Sequence, residues 1–226
     1  MGALYIIATP IGNMEDITLR AIRILGEVDV VLAEDTRNTG KLLKRHGIEA
    51  TMRSYHQRSA PTVADEIVGL LRVGKTLALV TDAGTPGVAD PGNELIARVL
   101  RELPEARIEP IPGASSLTAA LSVCGFPTNE FVFLGFLPHK KGRQSILNEI
   151  ATLSRTVVLF ESPHRILKLL EELNARVPSR EVFVGRELTK LHETHYRGTV
   201  AALTEHALVG GMPERGEFVV VLNVER

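Results

Sequence analysis

Three turn-rich segments stand out for what they could bind. They are "TPIGNMED" (9–16), "TDAGTPGVADPG" (81–92) and "IPGASS" (111–116), and each directly follows an apolar, strand-like run. Glycine lets a backbone approach a ligand closely, and proline fixes a loop without spending an amide. Ser115 and Ser116 open a helix-like stretch, with hydroxyls and amides suited to a ligand carboxylate or ribose. One such loop is only what any parallel sheet needs in order to turn. Three of them, at the exits of strands that read as parallel, predict a ligand crevice off the carboxyl ends of the sheet. None fits G-x-G-x-x-G, so the usual dinucleotide fingerprint is absent.

Carboxylates stand at two further strand exits: Glu34 and Asp35 after "VDVVLA", and Glu161 at the end of "TVVLFE". Each suits a general base or hydrogen-bond acceptor. Each suits equally a helix cap or an ion pair with Arg37 or Arg165, so the catalytic base stays unassigned. Basic residues gather at Arg37, Lys41, Lys44 and Arg45, and again at Lys140, Lys141 and Arg143 in "PHKKGRQ". A solvated helix face accounts for the first group. The second has no acid beside it in sequence to balance its charge.

Two louder motifs dissolve on inspection. "GLLRVGKT" (69–76) fits the phosphate-binding loop G-x-x-x-x-G-K-[ST], which requires a strand before the glycines and a helix after the lysine. Here the order is reversed, with a helix running into Val73 and a strand following Thr76. "HETH" (192–195) pairs two imidazoles, yet no third ligand group stands at metal spacing and the stretch reads as extended. No metal is expected.

The elements that must position these residues alternate. Strands read at 4–9, 28–34, about 51–56, 76–81 and 107–111. Helices read at 16–25 with Asp16 as N-cap and Leu19 and Ile22 on one face, at 38–47, from a Thr62–Asp65 cap to about Val73, at 93–103 and at 115–125. That alternation predicts a parallel sheet with helical crossovers. Beyond it lie a strand within 128–143, a helix over 144–153, the strand 156–161 and a helix capped by Ser162 with Pro163 in its first turn. The strands 181–188, 195–200 and 217–225 close the chain with little helix between them, which predicts mixed pairing. The fold class is α/β, with a mainly parallel N-terminal sheet, a mixed C-terminal sheet and flanking helices. The boundary falls within 113–127, which gives domains 1–120 and 121–226.

Composition narrows the function classes. Of 226 residues, 44% are apolar and 23% charged, enough for a full core under an ordinary water-facing surface. No stretch reaches the ~18–20 apolar residues of a membrane helix, and "MGALYIIATPIGN" lacks the basic region of a secretory leader. A membrane role is therefore not expected, and the cytoplasm is. The one cysteine, Cys124, excludes an intramolecular disulfide and reads as a buried structural thiol. Lys and Arg total 26 against 27 Asp and Glu, a net charge of −1. A nucleic-acid partner would then need basic residues gathered on one face. With aromatics at 4%, base stacking looks thin, so phosphate and shape contacts would have to dominate.

At this point a resemblance becomes specific. "LYIIATPIGNMEDITLRAI", "VLAEDTRNTGKLL", "VTDAGTPGVADPG", "PIPGASSLTAAL", "FLGFLP", "LFESPHRI" and "RELTKLHETHYRGT" occur in this order and nearly span the chain. Together they resemble the ribosomal RNA small-subunit methyltransferase I family of the tetrapyrrole methylase superfamily. The resemblance implies two α/β domains, S-adenosylmethionine as cofactor in the cleft between them, and a homodimer. It also implies 2′-O-methylation of a cytidine in the decoding region of 16S ribosomal RNA, within the small ribosomal subunit. Carried over by motif, the cofactor wall is Pro10, the run Gly84, Thr85 and Pro86 with Val88, and the pair Ser115 and Ser116. Phe160 and Leu191 contribute from the second domain. Thr85 stands where the superfamily often has aspartate. RNA would meet Arg37, Lys140, Lys141 and Arg143, with Arg165, Arg186 and Lys190 bordering the cleft. Two alternatives remain at this stage: a methyltransferase of the same superfamily acting on a precorrin-like tetrapyrrole, and a nucleotide-binding regulatory module without catalysis.

Overall fold

In this computed structural model, which describes residues 1–56 and 59–224, the chain divides into two compact units, Met1–Ser115 and Ser116–Arg226. The first is built on strands β1 (Ala3–Ile7), β2 (Val30–Ala33), β3 (Met52–Ser54), β4 (Leu77–Val80) and β5 (Arg107–Ile111), in the spatial order β3-β2-β4-β1-β5. All four pairings are parallel. β2 and β4 are buried along their whole length, which is why they read as unbroken apolar runs rather than alternating ones.

Both faces of this sheet are covered, and the pleat decides which side chain goes where. Val31, Ala33, Ala78 and Val80 pack with Ala21, Ile24 and Leu25 of helix α1 (Leu19–Glu27) and with Leu42 and Leu43 of α2 (Thr36–Arg45). Val30, Leu32, Leu77 and Leu79 point the other way. They meet Ile67 and Leu71 of α3 (Pro61–Arg72) and Leu95 and Val99 of α4 (Asn93–Glu102). The helix after β1 and the helix after β4 therefore lie on opposite faces, although β1 and β4 are neighbours. Their connections leave in opposite directions, the arrangement at which open α/β sheets bind ligands.

Within the first unit, local punctuation departs from the sequence reading at four places. Asp16 is not a helix cap: it ends a 3-10 turn (Met14–Asp16), and Thr18 caps α1 by accepting from the Ala21 amide at 3.1 Å. Leu19 is 86% exposed, so the apolar stripe of α1 runs through Ala21, Ile24 and Leu25 instead. α3 begins at Pro61 with no side-chain cap, because proline presets the first turn unaided. α2 starts two residues earlier than expected, capped by Asp35.

The second unit carries strands β6 (Phe131–Phe136), β7 (Thr156–Glu161), β8 (Glu181–Arg186), β9 (Thr194–Thr199) and β10 (Phe218–Leu222), in the order β6-β7-β10-β8-β9. Only β6 and β7 run parallel; the other pairings are antiparallel. Helices α6 (Arg143–Thr152), α7 (Ile166–Asn174) and α8 (Val200–Leu208) bury Leu147, Ile150, Leu169, Leu173 and Leu203 on one face of this sheet, against Val157, Leu159, Val184 and Val220. α5 (Ser116–Cys124) packs against β10. α8 went unforeseen, because "RGTV" continues a strand pattern up to Thr199. That threonine is in fact the N-cap, accepting from the Ala202 amide at 3.2 Å. α7 starts after a turn at 163–165 and is not capped by Ser162.

The rejected phosphate-loop motif falls as its element order requires, after α3 and before β4. Lys75 pairs with Asp29 at 2.7 Å, and Asp29 also accepts from the amide and hydroxyl of Thr76. The hydrogen bond from Lys75, then those from Thr76, hold the Asp29 carboxyl far below the usual carboxylate range. Cys124 is buried, its thiol bonded to the Leu121 carbonyl at 3.3 Å.

Candidate active site

In the first unit the three turn-rich loops meet. Thr9 and Gly84 form an isolated antiparallel bridge, with both amide-to-carbonyl bonds made, at 2.9 and 3.1 Å. The Thr85 hydroxyl donates to the Ala114 carbonyl at 3.3 Å, and the Thr9 hydroxyl donates to the Thr81 carbonyl at 3.1 Å. The loops after β1, β4 and β5 are thus tied to one another at the carboxyl edge of the sheet, where the connections of β1 and β4 diverge. Pro10, Gly84 and Pro86 are buried, whereas Thr85, Val88 and Ser115 are half-buried along the same edge. Gly84 and Gly87 have φ of +81° and +84°, where a side chain is strained. A Cβ on Gly87 would also stand 2.6 Å from Asn93 Oδ1, the side chain that holds the Gly87 carbonyl at 3.0 Å.

One residue here was missed by reading the sequence. Thr81 is 2% exposed at the mouth of β4, and among the described residues its Oγ1 has no hydrogen-bond partner. A buried hydroxyl left unmatched beside a glycine-lined loop is what a polar, nucleoside-bearing ligand would satisfy. The donor set of this edge, hydroxyls and backbone groups with closely approachable glycine, fits the adenosyl and amino-acid parts of S-adenosylmethionine. Ser116 opens α5 and the second unit, directly after Ser115.

The three candidate bases have different fates. Asp35 caps α2 through the Arg37 amide at 2.8 Å and pairs with the Arg37 guanidinium at 2.6 Å. The Arg37 side chain, then its amide, lowers the Asp35 pKa to about 2, which makes it a poor proton acceptor. Glu161 is 1% exposed and stands between two guanidinia, 3.2 Å from Arg165 and 3.6 Å from Arg143. It is a buried carboxylate held by ion pairs. Glu34 is half-buried at the end of β2 and accepts only a long bond, 3.4 Å, from the Asp82 amide.

The basic residues expected at RNA are sorted as sharply. Arg143 is the clear correction: it is 2% exposed, and its guanidinium pairs with Glu172 at 2.7 Å beside Glu161. The acids that balance it lie on β7 and α7, far along the chain, so the absence of an acid nearby in sequence misled. Lys190 is bound by Glu187 at 3.0 Å and Glu217 at 2.9 Å, and Arg186 spends its guanidinium on the Arg215 and His192 carbonyls. Burial alone would lower the Lys190 pKa, but its two carboxylate partners raise it, so the ammonium stays charged and engaged. Arg165 donates to the Leu137 carbonyl at 2.6 Å. Arg37 is exposed but paired. Lys140 and Lys141 are exposed, on the loop 137–142.

Register brings the second unit's candidates to one end of its sheet. Phe136 is opposite Phe160, Glu161 opposite Phe218, Phe218 opposite Arg186 and Arg186 opposite Thr194. Phe160 is half-buried, packed by Phe133 and Phe136, and the connection from β8 to β9 carries Leu191, 93% exposed. In "HETH", His195 packs on Phe183 and stands 2.8 Å from Glu193, while the His192 carbonyl serves Arg186.

A doubly wound sheet with its loops tied at the carboxyl edge, followed by a mixed sheet, defines a class. Residues 3–204 match the model of the tetrapyrrole (corrin/porphyrin) methylases. Among solved structures, the methyltransferase CobJ superposes with a TM-score of 0.71 at 18% identity, covering 99% of this chain and 95% of that one. A uroporphyrin-III C-methyl transferase from Thermus thermophilus, complexed with S-adenyl homocysteine, gives 0.67 at 21% identity, covering 98% and 97%. At such identities these neighbours establish the fold. Closer relatives are proteins named ribosomal RNA small subunit methyltransferase I. That of Thermotoga maritima is 44% identical over 223 residues, 99% of each chain. That of Synechocystis sp. is 45% identical over 98% of this chain and 79% of its own. The chain belongs to the tetrapyrrole methylase family and, within it, to the ribosomal RNA small subunit methyltransferase I proteins.

Proposed function

We propose that this chain is a methyltransferase that carries the methyl group of S-adenosylmethionine to the ribose 2′-oxygen of a cytidine in the decoding region of 16S ribosomal RNA. The observation that carries this reading is the 44% identity across 99% of both chains with a relative named for small-subunit ribosomal RNA. When bound, the cofactor supplies a methyl carbon on a sulfonium centre, open to in-line attack. The chain's own residues hold and align the reactants. The bridge between Thr9 and Gly84 and the Thr85 bond to Ala114 keep the three loops at fixed spacing, and Thr81 offers an unspent hydroxyl. Methylation of a ribose hydroxyl would release its proton, which the chain must accept. Of the three carboxylates, Glu34 is the one with no guanidinium partner among the described residues, so it is the acceptor this reading favours. In this reading Pro10, Gly84, Thr85, Pro86, Val88 and Ser115 of the first unit hold the cofactor.

No helix among the described residues is long and apolar enough to cross a membrane. The reading extends to a cytoplasmic homodimer acting on the assembled small subunit, with Lys140 and Lys141 as phosphate contacts. The decisive experiment offers labelled S-adenosylmethionine with small ribosomal subunits, naked 16S RNA or a free tetrapyrrole, and maps the modified nucleotide. Methylation of the tetrapyrrole alone, or of no substrate, would overturn the assignment.

A further inference from the structure

Phe136 is an aromatic side chain that the core does not need. It ends β6 at 55% exposure, and among the described residues its one ring contact, with Phe160, is edge-to-face at 5.6 Å. Phe160 is already packed by Phe133 at 4.9 Å. An isolated exposed apolar residue needs no explanation in general, but the setting of this one is particular. The loop 137–142, "LPHKKG", begins at the next residue and carries two exposed lysines and no acid.

That loop is held from beneath. Arg165 donates to the Leu137 carbonyl at 2.6 Å and stands 3.4 Å from the His139 ring. Arg143 reaches the Pro138 carbonyl at 3.5 Å, and its amide donates to the Lys140 carbonyl at 3.2 Å. Both guanidinia are fixed in turn by buried Glu161, and Arg143 by Glu172. Both acids are paired with these arginines, whereas Lys140 and Lys141 are exposed. An exposed ring at the end of β6, followed in the chain by a pinned loop with two exposed lysines, matches an unpaired base with its flanking phosphates.

We propose that Phe136 is a stacking platform for an unpaired base of the RNA substrate, with Lys140 and Lys141 taking the adjoining phosphates. The proposal rests on the ribosomal RNA reading and gives that substrate a base contact which the low aromatic content had seemed to deny it. Its test measures methylation of small ribosomal subunits by wild type, Phe136→Ala, Phe136→Tyr and Phe136→Leu, with donor affinity followed by calorimetry. Wild-type activity is established first, and a wild type inert toward ribosomal RNA overturns the parent reading and the platform together. Given an active wild type, Phe136→Ala should raise the KM for subunits roughly tenfold or more, with Tyr restoring it, Leu failing to, and donor affinity unchanged. An unchanged KM in the alanine variant overturns the platform, as does rescue by Leu equal to that by Tyr, or a parallel loss of donor affinity. Should the alanine variant fail to fold by circular dichroism, the comparison of Tyr with Leu decides alone.

Discussion

Arg143 offers the sharpest contrast between a local and a tertiary reading, and Arg143→Met separates the two. Methionine keeps most of the side chain's length and apolar contact while removing the charge. The guanidinium is 2% exposed, 2.7 Å from Glu172 and 3.6 Å from Glu161, and Glu161 is itself 1% exposed. Taking one partner from a buried ion pair costs roughly 3–5 kcal/mol, because the remaining charge is stranded away from water. Two features favour the lower end. Arg165 still stands 3.2 Å from Glu161, and the Glu172 side chain is 14% exposed, so water reaches it. A loss of about 3 kcal/mol at ~2–4 °C per kcal/mol for a chain of this size lowers Tm by about 6–12 °C. Scanning calorimetry and urea unfolding measure this directly, with Lys140→Ala as a control that leaves Tm unmoved. The double variant Arg143→Met with Glu172→Gln should recover part of the loss, since neutralising the stranded acid removes its penalty. A Tm within ~2 °C of wild type, together with weaker subunit binding, would refute the argument and return Arg143 to the RNA surface.

Three further outcomes are expected. Gly87→Ala, at φ +84° and with its new Cβ 2.6 Å from Asn93 Oδ1, should cost ~1–3 kcal/mol of stability and weaken donor binding in calorimetric titration; unchanged affinity would remove that loop from the pocket. Lys140→Ala with Lys141→Ala should reduce the slope of log affinity for RNA against log salt by about 1–2, with cofactor affinity intact; an unaltered slope would exclude the loop from the RNA surface. Asp35→Asn keeps the cap but loses the ion pair with Arg37. Asp35 titrates at about 2 in the folded chain, below the ~3.9 of an unfolded one, so its stabilisation is present above about pH 4 and lost as pH falls towards 2. Urea midpoints of wild type and variant should therefore differ at pH 7 and converge near pH 2; a constant gap would disprove the charge contribution.

Much of the first unit was legible because its signals are local. Strands buried on both faces appear as unbroken apolar runs, and Gly and Pro mark where they stop. Element order alone disposed of the phosphate-loop motif, since a helix ends at Arg72 and a strand begins at Leu77. α8 was harder, because Thr199 and Val200 suit a strand as well as a helix start, and only packing of Val200 and Leu203 onto the sheet settles it. Thr81 gave no signal at all: an unmatched hydroxyl is a property of its surroundings.

The order of apolar runs and turn formers in the sequence was by itself enough to determine a parallel sheet followed by a mixed one, with turn-rich loops at the exits of the early strands. Periodicity and turn chemistry act over a few residues, so they can be read directly. Only the tertiary structure decided which charged groups are available for chemistry. It sank Arg143 and Glu161 into one buried network, tied Asp35 to Arg37 and Lys190 to two acids, and left Glu34, Phe136, Lys140 and Lys141 open. The physical reason is that a charge is satisfied by whatever lies within a few ångströms. In a folded sheet that neighbour is set by strand order and register, as with Glu172, 29 residues beyond the arginine it holds.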